Sequence, residues 1–275
     1  MAIRKMLVPL ALTPRDEKLL AYACGLVEQG VHQLLVAHVV DSSGLEAPVV
    51  FAEVERARER LLAMVAPYGG SGQDIEVRVT TGEVYREIMA LASQVNTDVI
   101  LCGTEGKSFV DYLFSGSIAE DLALAGDVRT MTVRWDQLEV CADVADLAHG
   151  FARRLVVPTD FSSSSLRAVL SAFERRERAI GTIHLLHVLV DGESRLDAEI
   201  HMRAQTALAE EHGVDYVAAI REGDPAEAVL AYLAEVDATG VITGRRGKGR
   251  FGRELLGSVS MRLLQEAACP VVIQP

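Results

Sequence analysis

"GTEGKSFVDYLFSGS" runs from Gly103 to Ser117, and "GRRGKGRFGRELLGS" runs from Gly244 to Ser258, 141 residues further along the chain. Both carry G-x2-G-x9-G-S, at Gly103, Gly106, Gly116 and Ser117 in one copy and Gly244, Gly247, Gly257 and Ser258 in the other. Internal self-similarity decides a fold before any local pattern does, and here it extends along the chain. "KMLVPLALT" (Lys5–Thr13) matches "RLVVPTDFS" (Arg154–Ser162), and "LLVAHVVDSSG" matches "IHLLHVLVDGE", both at an offset of 149. "TTGEVYREIMALA" matches "REGDPAEAVLAYL" at the later offset of 141, so eight extra residues of the first half lie between its second and third strands.

Within each half, short apolar runs alternate with longer amphipathic segments. In the second half the runs are Leu155–Val157, Ile183–Val190, Tyr216–Ile220, Val241–Thr243 and Val271–Ile273. They are continuous rather than alternating, as expected of parallel strands covered on both faces. Ser162–Ser165 and Asp224-Pro225 read as helix starts, the latter with proline at the first helical position. After Gly257 the spacing puts Val259, Leu263, Leu264 and Ala267 on one helix face and Ser260, Arg262 and Glu266 on the other. The expectation is a doubly wound α/β fold built twice, each half a five-stranded parallel sheet flanked by helices. Residues 1–135 form the first domain, 136–150 the linker and 151–275 the second domain.

Bulk properties are consistent with this. A length of 275 residues suits two domains at roughly 150 residues each. A composition 49% hydrophobic and 5% aromatic fits an aliphatic-rich α/β protein and excludes disorder. No apolar run reaches the ~20 residues needed to span a bilayer, so a cytoplasmic protein without a membrane role is expected. The net charge of −12 excludes a general grip on nucleic acid, and any anion site must be local. Four widely spaced cysteines form neither a CxxC nor a metal-ligand cluster, so buried thiols are expected and no metal site.

Two better-known glycine motifs overlap the repeated one, and both fail. A Walker A loop needs G-x-x-x-x-G-K-[ST]; "LCGTEGKS" has Leu101 at the leading glycine, and Gly247-Lys248-Gly249 lacks the hydroxyl. The G-x-G-x-x-G at Gly247, Gly249 and Gly252 follows the penultimate strand rather than the first, and the chain ends where a ribose-binding acid would stand. The repeated motif has its own physical sense. Glycines let backbone amides approach an anion, and Gly257-Ser258 opens a helix whose free N–H groups and positive dipole end favour phosphate.

Together these residues resemble the universal stress protein family, in particular its tandem two-domain members. The resemblance rests on the V-P-x-D-x-S start, the H-V closing the second strand, the glycine loop and the terminal C-P-V. It implies an adenine nucleotide alpha hydrolase-like sheet in each half and an adenine nucleotide (ATP, ADP or AMP, with magnesium as its companion ion). It also implies that the halves pair through Thr130–Val133 and Val271–Ile273 as a pseudo-dimer, with a homodimer and a protein partner as further expectations. Carried over residue by residue, the second-half site comprises Pro158, Thr159, Asp160, Val188, Thr243, Gly244, Arg246, Gly247, Lys248, Gly257, Ser258 and Val259. Asp160 would accept hydrogen bonds from the adenosine portion, or serve only as a helix cap. His187 is read as structural, with the backbone of Val188 facing the base.

The first half departs from this pattern. Its weaker candidate site is Pro9, Val39, Gly103, Gly106, Gly116 and Ser117, with Ala11 where the second half has Asp160. The closing strand reads "DVRTMTV" instead of C-P-V. Charge separates the loops further: Arg245, Arg246, Lys248, Arg250 and Arg253 oppose Glu254 in the second, whereas Glu105 and Asp111 oppose Lys107 in the first. The second half is therefore expected to hold the nucleotide by Coulomb attraction that the first lacks. No nucleophile sits beside a base, so a regulatory or protective role in stress response is expected, not an enzyme; the alternatives are an interaction module that keeps the fold without nucleotide and a weak ATPase.

Overall fold

The computed structural model describes residues 3–27, 31–69, 74–105, 121–123, 127–173, 181–247 and 256–275. The first half runs β1 (Lys5–Pro9), α1 (Asp16–Val27), β2 (Gln33–Val40), α2 (Ala47–Val65), a 3-10 turn (Ala66–Tyr68), β3 (Asp74–Thr81), α3 (Val84–Val95), β4 (Val99–Thr104) and β5 (Arg129–Arg134). The connecting helices are α4 (Trp135–Val140) and α5 (Val144–Gly150). The second half follows as β6 (Arg154–Pro158), α6 (Ser163–Phe173), β7 (Thr182–Leu189), α7 (Arg195–Glu211), β8 (Tyr216–Glu222), α8 (Pro225–Glu235), β9 (Gly240–Gly244), α9 (Ser258–Glu266) and β10 (Val271–Gln274).

The two five-stranded sets fuse into one ten-stranded sheet, ordered β3-β2-β1-β4-β5-β10-β9-β6-β7-β8. Every pairing is parallel except β5–β10, which joins the halves antiparallel with Met131 opposite Val272. Those two residues are equivalent at the 141-residue offset, so the pseudo-two-fold axis passes between them. Arg129, which stands where the second half has Pro270, is buried beside this axis, and its Nε donates to Gln274 Oε1 at 2.8 Å.

Central strands are buried as their sequences predict, β9 at every position. The outermost strands are not. β3 and β8 are the sheet edges and each is partly exposed, Val217 to 43%, so their apolar runs do not mark burial on both faces. One core covers a single face of the whole sheet, beneath α1, α2, α6 and α7. The opposite face carries two separate cores, Ile88, Leu91 and Ala92 of α3 with Leu7 and Ile100 in the first half, and Val229 of α8 and Leu263 of α9 with Val156 and Val241 in the second.

The repeat is also written in the backbone. Leu12 and Phe161 both have left-handed φ, 62° and 60°, at the turn after the first strand of each half. Asn96 and Asp237, at φ 50° and 47°, end α3 and α8 the same way. A left-handed residue other than glycine costs ~1–2 kcal/mol, so its recurrence at matched positions shows that the surrounding structure imposes the turn. Helix starts are capped by side chains: Asp224 accepts from Glu227 N–H, with Pro225 at the first position, and Ser194 accepts from Asp197 N–H.

The connecting segment is helical and packed. Gly25 of α1 faces Ala148 of α5, and an added Cβ there would lie 2.8 Å from the alanine methyl. Lys18 Nζ donates to the Leu138 and Glu139 carbonyls, and Leu138 is fully buried. Among the described residues no helix is long and apolar enough to cross a membrane.

Candidate nucleotide site

The first turn of the second half is tied together by hydroxyls. Thr159 Oγ1 accepts from Phe161 N–H at 3.1 Å and from Gln205 Nε2 at 3.0 Å, and bonds Ser165 Oγ at 3.2 Å. The Thr159 carbonyl accepts from His187 Nδ1 at 2.8 Å, which pins the turn to β7. The first half repeats that bond between Leu10 and His38 at 2.7 Å. His187 is therefore a structural clamp, and its ring is packed against Phe161 with centroids 4.4 Å apart. With Nδ1 donating to a carbonyl, Nε2 meets the Glu193 carboxylate, 3.2 Å away, as a donor only in the imidazolium form.

Asp160 sits at the end of this turn. Its Oδ1 accepts from Ser162 N–H at 3.0 Å in a turn just before α6, whose own cap is Ser162, with Oγ accepting from Ser165 N–H at 3.2 Å. Its Oδ2 points toward the glycine loop, where an added Cβ on Gly247 would approach it to 2.6 Å. One carboxylate thus serves both the turn and the wall of a cavity.

That cavity, about 670 Å³, opens at the C-terminal ends of β6, β7 and β9 on the side of α8 and α9. Among its lining residues are Pro158, Thr159, Asp160, Val188, Thr243, Gly244, Arg246, Gly247, Gly257, Ser258 and Val259. These are all of the expected second-half residues except Lys248, which lies outside the described residues along with Gly249 and Gly252. Five stretches of the second half converge here, across the strand β6 from which the chain winds in both directions.

The three described glycines of the loop are glycine for different reasons. At Gly244 a side chain would run into the backbone of Ser164 at 2.7 Å, so its smallness serves packing of α6 against β9. At Gly247 it would run into Asp160. Gly257 has an ordinary φ of −64°, and among the described residues the nearest atom to an added Cβ is the Arg245 carbonyl oxygen at 3.5 Å, so these neighbours do not require glycine there. It is the residue just before the free N–H groups of α9, where close approach to an anion does require it. Its own N–H donates to the Arg245 carbonyl at 2.9 Å, closing the loop onto the helix start.

Ser260 corrects the helical-face reading of the sequence. It is buried, and its hydroxyl donates to the Gly244 carbonyl at 2.7 Å, because α9 docks its first turn against the end of β9. Arg246 N–H donates to Ser164 Oγ at 3.4 Å while its side chain lines the cavity. Partial burial and the neighbouring Arg246 lower the Arg245 pKa from its ordinary value. Sequence reasoning missed the Val190–Glu193 loop and Pro225 and Val229 of α8, which complete the lining. Pro225 follows a recognisable helix cap, but nothing in the sequence aims α8 at the cavity.

The equivalent region of the first half is built otherwise. Gly103 ends β4 against Trp135 of α4, and an added Cβ would lie 2.1 Å from the indole. Glu105 stands at the position of Arg246 and pairs with Arg15 at 2.5 Å, and Arg15 also reaches Glu139 of α4 at 2.9 Å. Pro9 closes β1, whereas Gly106, Gly116 and Ser117 lie outside the described residues. Val39 lines a groove of about 580 Å³, but with Leu12, Val49, Ala57 and Arg60, on the α2 side of the sheet. In the second half the matching space between His187 and α7 is taken by the Phe161 ring, which stacks on His201 with centroids 5.1 Å apart.

The family model described as the universal stress protein family matches residues 2–134 and again 152–275. The chain belongs to the universal stress protein family. A universal stress protein of Methanocaldococcus jannaschii is 27% identical over 137 residues, covering 44% of this chain and 81% of that protein. The solved structure of a universal stress protein from Archaeoglobus fulgidus is 25% identical, with a TM-score of 0.78 over 98% of this chain and 95% of the other. A Pseudomonas aeruginosa structure at 13% identity and a TM-score of 0.66 covers 99% of this chain and 93% of its own, and shares the fold. Tandem universal stress protein domains in one α/β sheet thus account for nearly the whole chain.

Proposed function

We propose that this universal stress protein binds an adenine nucleotide (ATP, ADP or AMP) in its second half and acts in stress response as a regulatory or protective protein. The observation that carries the reading is the convergence of Pro158–Asp160, Val188, Thr243, Gly244, Arg246, Gly247 and Gly257–Val259 on one cavity of about 670 Å³. That volume lies within the range of small-ligand sites, roughly 300–1,000 Å³. One side of it suits phosphate: the start of α9, the Arg246 side chain, and a glycine at 257 that its described neighbours do not require. Another suits a ribose, whose hydroxyls would donate to the Asp160 carboxylate.

Among the described residues no three His, Cys, Asp or Glu side chains gather as a cation site, so magnesium would arrive on the phosphates themselves. Among the described residues the cavity lining pairs no nucleophile with a base, and His187 Nδ1 is committed to the Thr159 carbonyl. The protein is therefore proposed as a binder rather than an enzyme. Nucleotide occupancy would change the surface around α8 and the Val190–Glu193 loop, the part a protein partner or a second copy of the chain would sense.

Mass spectrometry of freshly purified, denatured protein is the direct test, together with thermal denaturation with and without added ATP. A co-released adenine nucleotide and an upward shift are expected. Neither signal would leave the alternative, an interaction module that keeps the fold without the ligand.

A further inference from the structure

Two carboxylates stand in the cavity wall where no sequence motif places them. β7 ends at Leu189, and Val190–Glu193 turns back along the wall with Gly192 at φ 82°. Asp191 is exposed, but Glu193 is fixed, with 23% of its side chain accessible. Its Oε2 accepts from Val190 N–H at 3.4 Å and lies 3.2 Å from His187 Nε2. His187 is itself held by Thr159 and Phe161. Among the described residues Glu193 Oε1 has no hydrogen-bond partner, and the residue lines the cavity.

The two ends of the cavity differ in a way that orients a nucleotide. Arg246 and the α9 start lie at the end of β9, while Val188 and the Glu193 loop lie at the end of β7. β6 separates the two strands, so the ends are two strand spacings apart, ~10 Å. Phosphates are drawn to the first end and repelled by Asp191 and Glu193 at the second. The second end is walled by Val188, Val190, Pro225 and Val229, which suit the faces of a flat ring. A nucleotide therefore places its base there, beside Glu193. An ionised carboxylate accepts hydrogen bonds and cannot donate, so the ring edge it faces must carry an N–H.

Building on the proposed nucleotide reading, we propose that Glu193 is a specificity determinant that reads the exocyclic amine of the base, Oε1 accepting one of its N–H groups. The site thereby selects 6-aminopurine nucleotides. His187, fixed through Nδ1 by the Thr159 carbonyl, is the positioning residue beside it, with Nε2 3.2 Å from Oε2. The first half has Gly44 at the matching position and no such reader.

The test compares ATP with purine riboside triphosphate, the same molecule without its 6-amino group, by calorimetric titration of the full chain. The wild type should bind ATP about tenfold more tightly, as expected when one charge-assisted hydrogen bond is lost. Glu193→Ala should abolish that preference by weakening ATP while leaving the analogue unchanged, and Glu193→Gln, which keeps a carbonyl acceptor, should restore part of it. Because each result is a ratio within one protein, a change in stability does not mimic it. Equal binding of both ligands by the wild type, or a preference that survives in Glu193→Ala, would overturn the assignment. If the wild type binds neither ligand, the nucleotide reading itself fails.

Discussion

The two halves share a turn and differ in what lies around it. Leu12 and Phe161 adopt the same left-handed conformation, and His38 and His187 clamp the same carbonyl. Yet the first half has its groove on the α2 side of the sheet, and the second has its cavity on the side of α8 and α9. A few side chains account for the difference. Phe161 fills, against His187 and His201, the space that Leu12 leaves open. Asp160 faces the glycine loop where the first half has Ala11, and Arg246 is replaced by a glutamate already bound to Arg15. The backbone of a repeat is retained by its turns and clamps, while ligand capacity depends on side chains that the fold does not need.

Removing the feature peculiar to the first half should have the largest effect. Trp135→Ala takes away the indole packed on Gly103 and should cost about 3 kcal/mol of stability. In chemical denaturation the loss should appear with nucleotide affinity of the native state unchanged, because Trp135 packs on Gly103 of β4 and is not among the residues that line the second-half cavity.

Asp160 tests the other side of the comparison. Asp160→Asn keeps the oxygen that accepts from Ser162 N–H but removes the charge facing the ligand, so nucleotide affinity should fall by about 2 kcal/mol, roughly thirtyfold, with little change in melting temperature. Asp160→Ala should also lose the turn bond to Ser162 N–H, about 1 kcal/mol in stability. Affinity in the two variants, measured by titration, separates the carboxylate's two roles.

Gly257→Ala is the sharper probe of the loop. Its described neighbours accommodate the methyl, so stability should change by no more than about 0.5 kcal/mol, while nucleotide affinity drops about fivefold to tenfold. Gly244→Ala should do the reverse, destabilising the protein by about 1–3 kcal/mol through its collision with Ser164.

The smallest effect is acid sensitivity confined to one half. His184 is buried in β7 with Nδ1 3.0 Å from Tyr232 Oη, where Leu35 occupies the first half. Burial, and secondarily Arg154, hold its pKa below the ordinary histidine value. The unfolded chain therefore takes up the proton first, and the stability this residue permits is lost as pH falls below about 6.5. Hydrogen exchange should show β7 amides losing protection before those of β2 on acidification, and His184→Leu should remove the difference.

Much of the architecture was legible because it is periodic. The offsets of 149 and 141 located matching strands, while the pairing through Thr130–Val133 and Val271–Ile273 came from the family resemblance and is met by Thr130–Thr132. The motif residues were legible because each stands beside a strand end, where a parallel sheet gathers its loops. What escaped was the part that breaks the repeat. Trp135 opens α4, outside the stretches that repeat visibly between the halves. Glu193 is one acid among many in an acidic chain, and only the clamp of His187 makes its position meaningful. Ser260 was assigned to the wrong face because the first turn of α9 follows its contact with β9 rather than its hydrophobic period.

The account turns on asymmetry between two halves of similar backbone, and stoichiometry measures it most directly. Native mass spectrometry of the full chain titrated with ATP should show a single nucleotide bound per chain, lost in Asp160→Ala and retained in Trp135→Ala. Two nucleotides per chain, or one that survives in Asp160→Ala, would contradict it.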